Sequence, residues 1–272
     1  MKLIFITVNY NNVKETDEFI SCFLNGNTSD NILYVVDNSE NKNPCKELEL
    51  SIRNDNVVFL YPFENLGYMG GASFALDYHY NKCGFDFKYT LICNNDISFD
   101  AENIINHLSE HGRHNGDRFM LISPSVYDNG DNINPYMISR KSKCYMMMWN
   151  VILSTYTTFS IFHKINKFLS SFSKNKKVRK YSEKYVYGTH GSVFILSSDY
   201  FMSGGSIRKL PFLYGEEMYI AEQISRLNGK CIYVPEIFFN HKGSATLGKE
   251  QSKFKYQKIK EAHKYICKEF YC

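Results

Sequence analysis

The sequence predicts an α/β fold on a mostly parallel sheet, and three observations point there. Short apolar runs rich in β-branched and aromatic residues alternate with segments of helical periodicity, the pattern of right-handed strand–helix–strand crossovers. Several runs stop abruptly at polar residues, as where Lys88–Cys93 gives way to Asn94-Asn95-Asp96. Hydrophobic residues make up 44% of the 272, enough for a substantial core. The length suits one large domain. Its expected organisation is a ligand-binding half, 1–127, followed by a half, 128–272, that carries an unusual insertion at 140–184.

The elements follow in order. Leu3–Tyr10 reads as a first strand, since it lacks the length and small-residue cleavage site of a secretory signal. Helical periodicity over Val13–Leu24, a strand at Ile32–Val36 and a helical segment around Pro44–Ile52 come next. Val57–Tyr61 is a strand, Gly71–Tyr80 a helix, Tyr89–Cys93 a buried strand, and Phe119–Ser123 a strand ended by Pro124. Beyond the insertion, Tyr185–Leu196 is strand-like. Glu216–Leu227 is a helix stopped by Asn228-Gly229, and Cys231–Phe239 is a strand broken by Pro235. Phe254, Ile259, Ala262, Ile266 and Phe270 outline a basic C-terminal helix.

The net charge of +4 hides an asymmetry. Arg140 to Lys184 holds eleven Lys or Arg and one acid, Glu183, so the rest of the chain is acidic on balance. Such a block seeks an anionic surface, membrane or nucleic acid. Cys144–Phe162 has no charged residue and approaches bilayer-spanning length, but Asn150, Ser154, Thr157 and Thr158 fall on one side of it. Phe162, Ile165, Phe168, Leu169 and Phe172 then form an apolar stripe set against Lys164, Lys167, Lys174, Lys176 and Lys177. That pattern favours a helix lying in the membrane interface over a spanning one; an ordinary lid or core helix is the plain alternative. The 16% aromatic content fits a ring-shaped ligand, a lipid surface or simply a large core. Eight scattered cysteines without a C-x-x-C pair read as reduced thiols, so neither a zinc site nor a disulfide framework is expected.

Chemistry concentrates at the ends of strands. Thr7 and Asn9 close the first, and Asp37-Asn38-Ser39 closes the second, where a carboxylate can accept the ring N–H of a pyrimidine or merely shape a turn. Asn65-Leu66-Gly67-Tyr68-Met69-Gly70-Gly71 lets the backbone approach an anion at a helix start, although its spacing is not a dinucleotide fingerprint. Asp96 can supply a carboxylate to Mg²⁺ or Mn²⁺ on a diphosphate, with Asn94 as a neutral helper. His241 is a further candidate ligand or a hydrogen-bonded core or surface residue. Glu216-Glu217 opens a helix, where acids cap favourably; one of them can instead take a proton from an acceptor hydroxyl, with its neighbour pointing elsewhere.

Taken in order, Val8-Asn9-Tyr10-Asn11, Val35-Val36-Asp37-Asn38-Ser39, Asn65–Gly71, Cys93–Asp96, Gly191-Ser192-Val193-Phe194, Tyr214–Glu217 and Tyr233-Val234-Pro235 with His241 resemble the family 2 glycosyltransferases. The likeness is to bacterial rhamnosyl-, galactofuranosyl- and other hexosyltransferases of O-antigen, lipopolysaccharide or capsule assembly. It implies a GT-A fold: a Rossmann-like, mostly parallel sheet flanked by helices, here with the basic amphipathic insertion and a C-terminal helix. It also implies an inverting reaction with a UDP- or dTDP-sugar donor, Mg²⁺ or Mn²⁺, and a lipid-linked oligosaccharide acceptor at the cytoplasmic face of the inner membrane. By the same resemblance Thr7, Asn9 and Asp37 bind the nucleotide, with Asn65, Gly67, Asn94 and Asn95 near the donor. Asp96 and His241 hold the metal, Glu217 is the base and Glu216 stands beside it. Asn94-Asn95-Asp96 replaces the usual Asp-x-Asp, which implies weaker metal binding. The rival readings are a nucleotidyltransferase, a non-catalytic membrane-associated partner retaining the fold and, as a minor one, nucleic-acid binding through the basic block.

Overall fold

The computed structural model describes residues 2–26, 30–111, 118–172, 184–208, 210, 212–243 and 253–271, with the side chains of 111 and 169–172 left out. In chain order it contains β1 (Leu3–Asn9), α1 (Val13–Leu24), β2 (Ile32–Asp37), α2 (Asn43–Ser51), β3 (Val57–Leu60), α3 (Gly67–Cys83), β4 (Tyr89–Asn94) and β5 (Ile97–Phe99). There follow α4 (Ala101–His111), β6 (Phe119–Asp128), β7 (Asp131–Asn132), α5 (Lys143–Ile152), α6 (Tyr156–Phe172), β8 (Lys184–Val186), β9 (Val193–Ser197) and α7 (Ser198–Met202). Last come α8 (Glu216–Arg226), β10 (Lys230–His241), α9 (Lys253–Ile266) and a π-helical turn, Cys267–Tyr271.

Among the described residues one sheet runs β3-β2-β1-β4-β9-β6-β10-β5, with β7 on β6 and β8 on β10. The β3-β2-β1-β4 block is parallel. Strand order reverses at β1, so a crevice opens outside the carboxyl ends of β1 and β4, where open α/β sheets hold ligands. β9 enters antiparallel between β4 and β6. Both faces are covered. Leu3, Phe5, Leu33 and Val35 pack with Phe19, Phe23 and Ile104 of α1 and α4. Ile4, Ile6, Tyr34 and Val36 pack with Met69, Ala72, Ile220 and Ile224 of α3 and α8. Burial on both sides is why these strands read as continuous apolar runs rather than alternating ones.

Three expectations change, and one, the break at Pro235, holds. The helix expected at Gly71–Tyr80 starts earlier, at Gly67, so Gly70 and Gly71 lie inside α3 rather than before it. Pro124 does not end its strand, which continues to Asp128. β9 pairs β6 only at Leu121 and Ile122, so the missing N–H of Pro124 leaves no β9 carbonyl without a donor. Pro235 sits in an irregularity between Val234 and Phe238, and β10 resumes beyond it to reach His241. Tyr185–Leu196 divides into β8 and β9 around the Tyr187–Ser192 loop.

The insertion is two helices, not one. Thr155 and Thr158 cap α6 reciprocally: Thr158 N–H donates to Thr155 Oγ1 at 3.1 Å and Thr155 N–H to Thr158 Oγ1 at 3.3 Å. The polar residues expected to line one side of a single helix therefore include the groups that break it. No helix among the described residues is long and apolar enough to cross a membrane. Phe162 packs inward with Ile152, Phe159 and Tyr256, whereas Ile161, Ile165 and Phe168 stay exposed, as do Met147 and Val151 on α5. Lys174, Lys176, Lys177 and the side chains of Leu169 and Phe172 lie outside the described residues.

Candidate functional site

The carboxyl ends of β1 and β2 meet in register, Asn9 opposite Asp37. Both residues are fully buried. Asp37 Oδ1 accepts from Asn9 Nδ2 at 2.9 Å and from Ser39 N–H at 3.0 Å. Asp37 Oδ2 and Thr7 Oγ1 are buried without a partner. An unsatisfied buried acceptor is costly, and the free Oδ2 leaves Asp37 able to accept one further hydrogen bond. Asn9 is different. Its Oδ1 accepts from Asn12 N–H and Thr16 Oγ1, and its Nδ2 also reaches Ser39. Both ends of the amide are engaged, and Asn9 acts through the Asp37 it orients.

Asn38 ties this floor to α3, donating from Nδ2 to the Gly67 carbonyl at 2.9 Å. Asn65 Oδ1 accepts from Gly67 N–H at 2.9 Å, shaping the turn that opens the helix. Gly67 itself has φ +72°, and a Cβ there would stand 2.5 Å from the Phe212 carbonyl oxygen. Only glycine allows the loop before α8 to press so closely on the start of α3.

At the end of β4, Asn94 is half-buried and hydrogen-bonds through its N–H to the Ser192 carbonyl. Asn95 turns away from the crevice, with Nδ2 donating to the Asn12 carbonyl and Thr16 Oγ1 on α1. It locks the turn instead of facing the donor side. Asp96 is buried, and β5 pairing with β10 brings His241 beside it. His241 Nε2 lies 3.3 Å from Asp96 Oδ1, and Nδ1 lies 4.0 Å from Asp128 Oδ2. Asp96 Oδ1 and both ring nitrogens nevertheless lack an aligned hydrogen bond. The Asp96 carboxylate draws the His241 pKa up, against the opposing effect of burial. An oxygen and a nitrogen donor, adjacent, buried and unsatisfied, fit a divalent cation. Among the described residues no group of three or more His, Cys, Asp or Glu forms a protein-only cage. Mg²⁺ and Mn²⁺ commonly take few protein ligands, completing their shell with water and substrate phosphate.

Glu216 and Glu217 begin α8 after two left-handed residues, Tyr214 at φ +67° and Gly215 at φ +83°. For a tyrosine that conformation is strained, and such strain gathers at functional sites. Both carboxylates converge on Gly191, where a Cβ would meet Glu217 Oε1 at 2.7 Å and Glu216 Oε1 at 3.2 Å. The expectation that adjacent acids diverge fails here, because the space above Gly191 admits both. Burial raises both carboxyl pKa values; the charge of Glu217 adds to the effect on Glu216, pushed up to about 8. Glu217, not Glu216, also lines a cavity of about 390 Å³ between α5, α8 and α9.

Tyr68 links the two halves. Its hydroxyl is buried without a partner, and desolvation pushes its pKa up, with nearby acidic groups, Asp96 and Glu217 among them, adding to the effect. The Asn94 N–H bond to the Ser192 carbonyl, next to Gly191, brings the strand end that leads to Asp96 up to the loop over which both glutamates lean. The structure adds residues that motif reading passed over. Asn134 Oδ1 accepts from His190 N–H at 3.0 Å and holds the loop carrying Gly191. The His190 imidazole meets Tyr136 edge-on at 5.3 Å, and burial lowers its pKa to about 4. Tyr68 stood within a quoted motif; Asn134 and Tyr136 had no sequence signal.

Compared with solved structures, the chain superimposes on GalNAc-T7, crystallised with UDP, GalNAc and Mn²⁺, at a TM-score of 0.60 and 13% identity over 92% of its length. The fold is GT-A. TarS of S. aureus matches at a TM-score of 0.55 with 12% identity over 90% of this chain. Its 1–349 fragment matches at 0.55 with 13% identity over 89%. The chain spans only 45%, 37% and 60% of these three proteins, respectively. No protein-family model matches it, and no curated protein matches its sequence. The GT-A neighbours are glycosyltransferases, and what this chain shares with them is the fold.

Proposed function

We propose that the chain is an inverting, metal-dependent glycosyltransferase that moves a sugar from a UDP- or dTDP-linked donor to a hydroxyl of a lipid-linked oligosaccharide in bacterial surface-polysaccharide assembly. The observation that carries this is a contact between the two regions: Asn94 N–H, two residues before Asp96, donates to the Ser192 carbonyl beside Gly191, against which Glu216 and Glu217 both pack. It supports a cation-type group and a base-type group facing a shared substrate. The GalNAc-T7 structure with UDP, GalNAc and Mn²⁺ supports the donor class and the metal.

In this reading Asp37 accepts a ring N–H of the nucleotide base through its free Oδ2. The first turn of α3 beyond Gly67, whose own N–H is taken by Asn65, offers backbone N–H groups to the diphosphate. Asp96 and His241 would hold Mg²⁺ or Mn²⁺, which would supply positive charge to the leaving diphosphate. Glu217 takes the proton of the acceptor hydroxyl. That oxygen forms the new bond to the anomeric carbon as the bond to the diphosphate oxygen breaks on the opposite side, and the nucleoside diphosphate departs. Glu217 is suited to the role because its raised pKa gives it more driving force for a proton than an ordinary carboxylate has.

The exposed apolar residues of α5 and α6 with their basic neighbours support seating on the cytoplasmic face of the inner membrane. Thermal stabilisation by a panel of nucleotide sugars, with and without Mn²⁺, tests the donor assignment. Metal-enhanced stabilisation by a UDP- or dTDP-sugar is expected, followed by release of the nucleoside diphosphate on transfer. Release of pyrophosphate from a nucleoside triphosphate would replace this reading with a nucleotidyltransferase.

A further inference from the structure

We propose that the cavity between α5, α8 and α9 is the acceptor subsite, taking a glycoside whose sugar ring lies against Trp149 and whose reacting hydroxyl turns to Glu217. This rests on the glycosyltransferase reading and assigns the part of the substrate that reading leaves open. The cavity holds about 390 Å³, within the usual range for small-molecule sites. Glu217 lines it, while Thr7, Asp37, Asp96 and His241 do not, so the donor-side groups and this cavity share only the proposed base.

The lining has the amphipathic character that a sugar ring needs. Tyr136, Tyr145 and Trp149 contribute flat apolar surface for the C–H face of a pyranose or furanose ring. Phe162 meets the indole edge-on at 5.5 Å, and Tyr145 lies 6.4 Å away, so Trp149 is braced from two sides. Tyr214 also lines the cavity, and its hydroxyl is buried without a hydrogen-bond partner. A ring hydroxyl would relieve that deficit. Desolvation, then the charge of Glu217, pushes up the Tyr136 pKa, so this phenol lies within the carboxylate's field. On α5 the residues facing the cavity alternate with Met147, Met148 and Val151, which are exposed. An acceptor seated here has an apolar surface beside it for a lipid aglycone.

Trp149 is the only tryptophan in the chain, so fluorescence excited at the red edge of indole absorption, where the 21 tyrosines do not absorb, reports on this cavity. The experiment titrates the full chain with octyl β-glucoside, octyl β-galactoside and octyl α-rhamnoside below their micelle concentrations, with octanol as the control. A saturable spectral shift with at least one glycoside and none with octanol is expected. It should need at least tenfold more glycoside in Tyr145→Ala, and an unchanged response in that variant also overturns the assignment. No saturable shift with any glycoside, or an equal shift with octanol, overturns the assignment. Calorimetry with UDP or dTDP and Mn²⁺ on the same sample separates the two levels of the argument. Nucleotide binding without a glycoside response removes the acceptor site and leaves the donor reading standing. A glycoside response without nucleotide binding removes the donor reading and leaves a sugar site.

Discussion

Gly191 and Glu217 occupy space that two side chains could not share: a Cβ on Gly191 would fall 2.7 Å from Glu217 Oε1. The glycine therefore sets where the proposed base stands, although it carries no chemistry itself. Gly191→Ala should displace the carboxylate and lower kcat by about 10²-fold, the scale of a misplaced catalytic group. UDP affinity should hold within about twofold, since none of the donor-side residues is touched. Wild-type turnover in this variant would contradict the placement.

Glu217→Gln keeps the shape and removes the base. Transfer should fall about 10²–10⁴-fold, while nucleotide binding measured by calorimetry is unchanged. If turnover is retained, the base must be another group.

The Glu216 carboxyl has a pKa raised to about 8 by burial and by Glu217. Between its ordinary value and that one, the folded state holds a proton the unfolded state has lost, so stability declines as pH rises through this window. Glu216→Gln removes the liability, and its gain in Tm should grow from pH 5 to pH 8. Each kcal/mol recovered is worth about 2–4 °C in a chain of this size. A gain independent of pH, followed by calorimetric or optical melting, would show that Glu216 is ionised throughout.

Asp96→Ala removes the oxygen donor beside His241. Mn²⁺-dependent UDP affinity should drop at least tenfold, whereas binding in the presence of a chelator should be the same as for the unaltered chain. Calorimetry of both variants with and without Mn²⁺ reads this directly, and an unchanged metal response would take Asp96 out of the cation site.

Met147, Val151, Ile161 and Ile165 are exposed on α5 and α6 beside a basic segment. Co-sedimentation should show binding to vesicles containing anionic lipid that weakens as salt rises, and a fourfold Ser replacement should abolish it. Equal binding to neutral and anionic vesicles would argue against the electrostatic part.

Much of this was legible in the residues themselves. The α1 span, the β1 to β4 strands, the turn at Asn228-Gly229, and the placement of Asp96 and the Glu pair at element ends all follow from periodicity and local turn chemistry. These are properties of short segments, because a buried strand or an amphipathic helix records its own burial in its own residues. Proline misled at Pro124, since whether a missing N–H matters depends on which strand lies opposite, whereas Pro235 does interrupt the pairing of its strand. The Thr155–Thr158 cap likewise turned polar residues of an expected single helix into a break between two.

The sequence by itself determined the α/β class, the strands that end in polar side chains, and the residue types available for binding a diphosphate and moving a proton. Tertiary structure decided that β9 enters antiparallel between β4 and β6, that Asn9 and Asn95 brace the site, and that both glutamates lean over Gly191. It also put Trp149 in a cavity with Glu217. Those outcomes depend on contacts between residues tens to hundreds of positions apart, where packing and unsatisfied polar atoms set the geometry and no local period can carry the information.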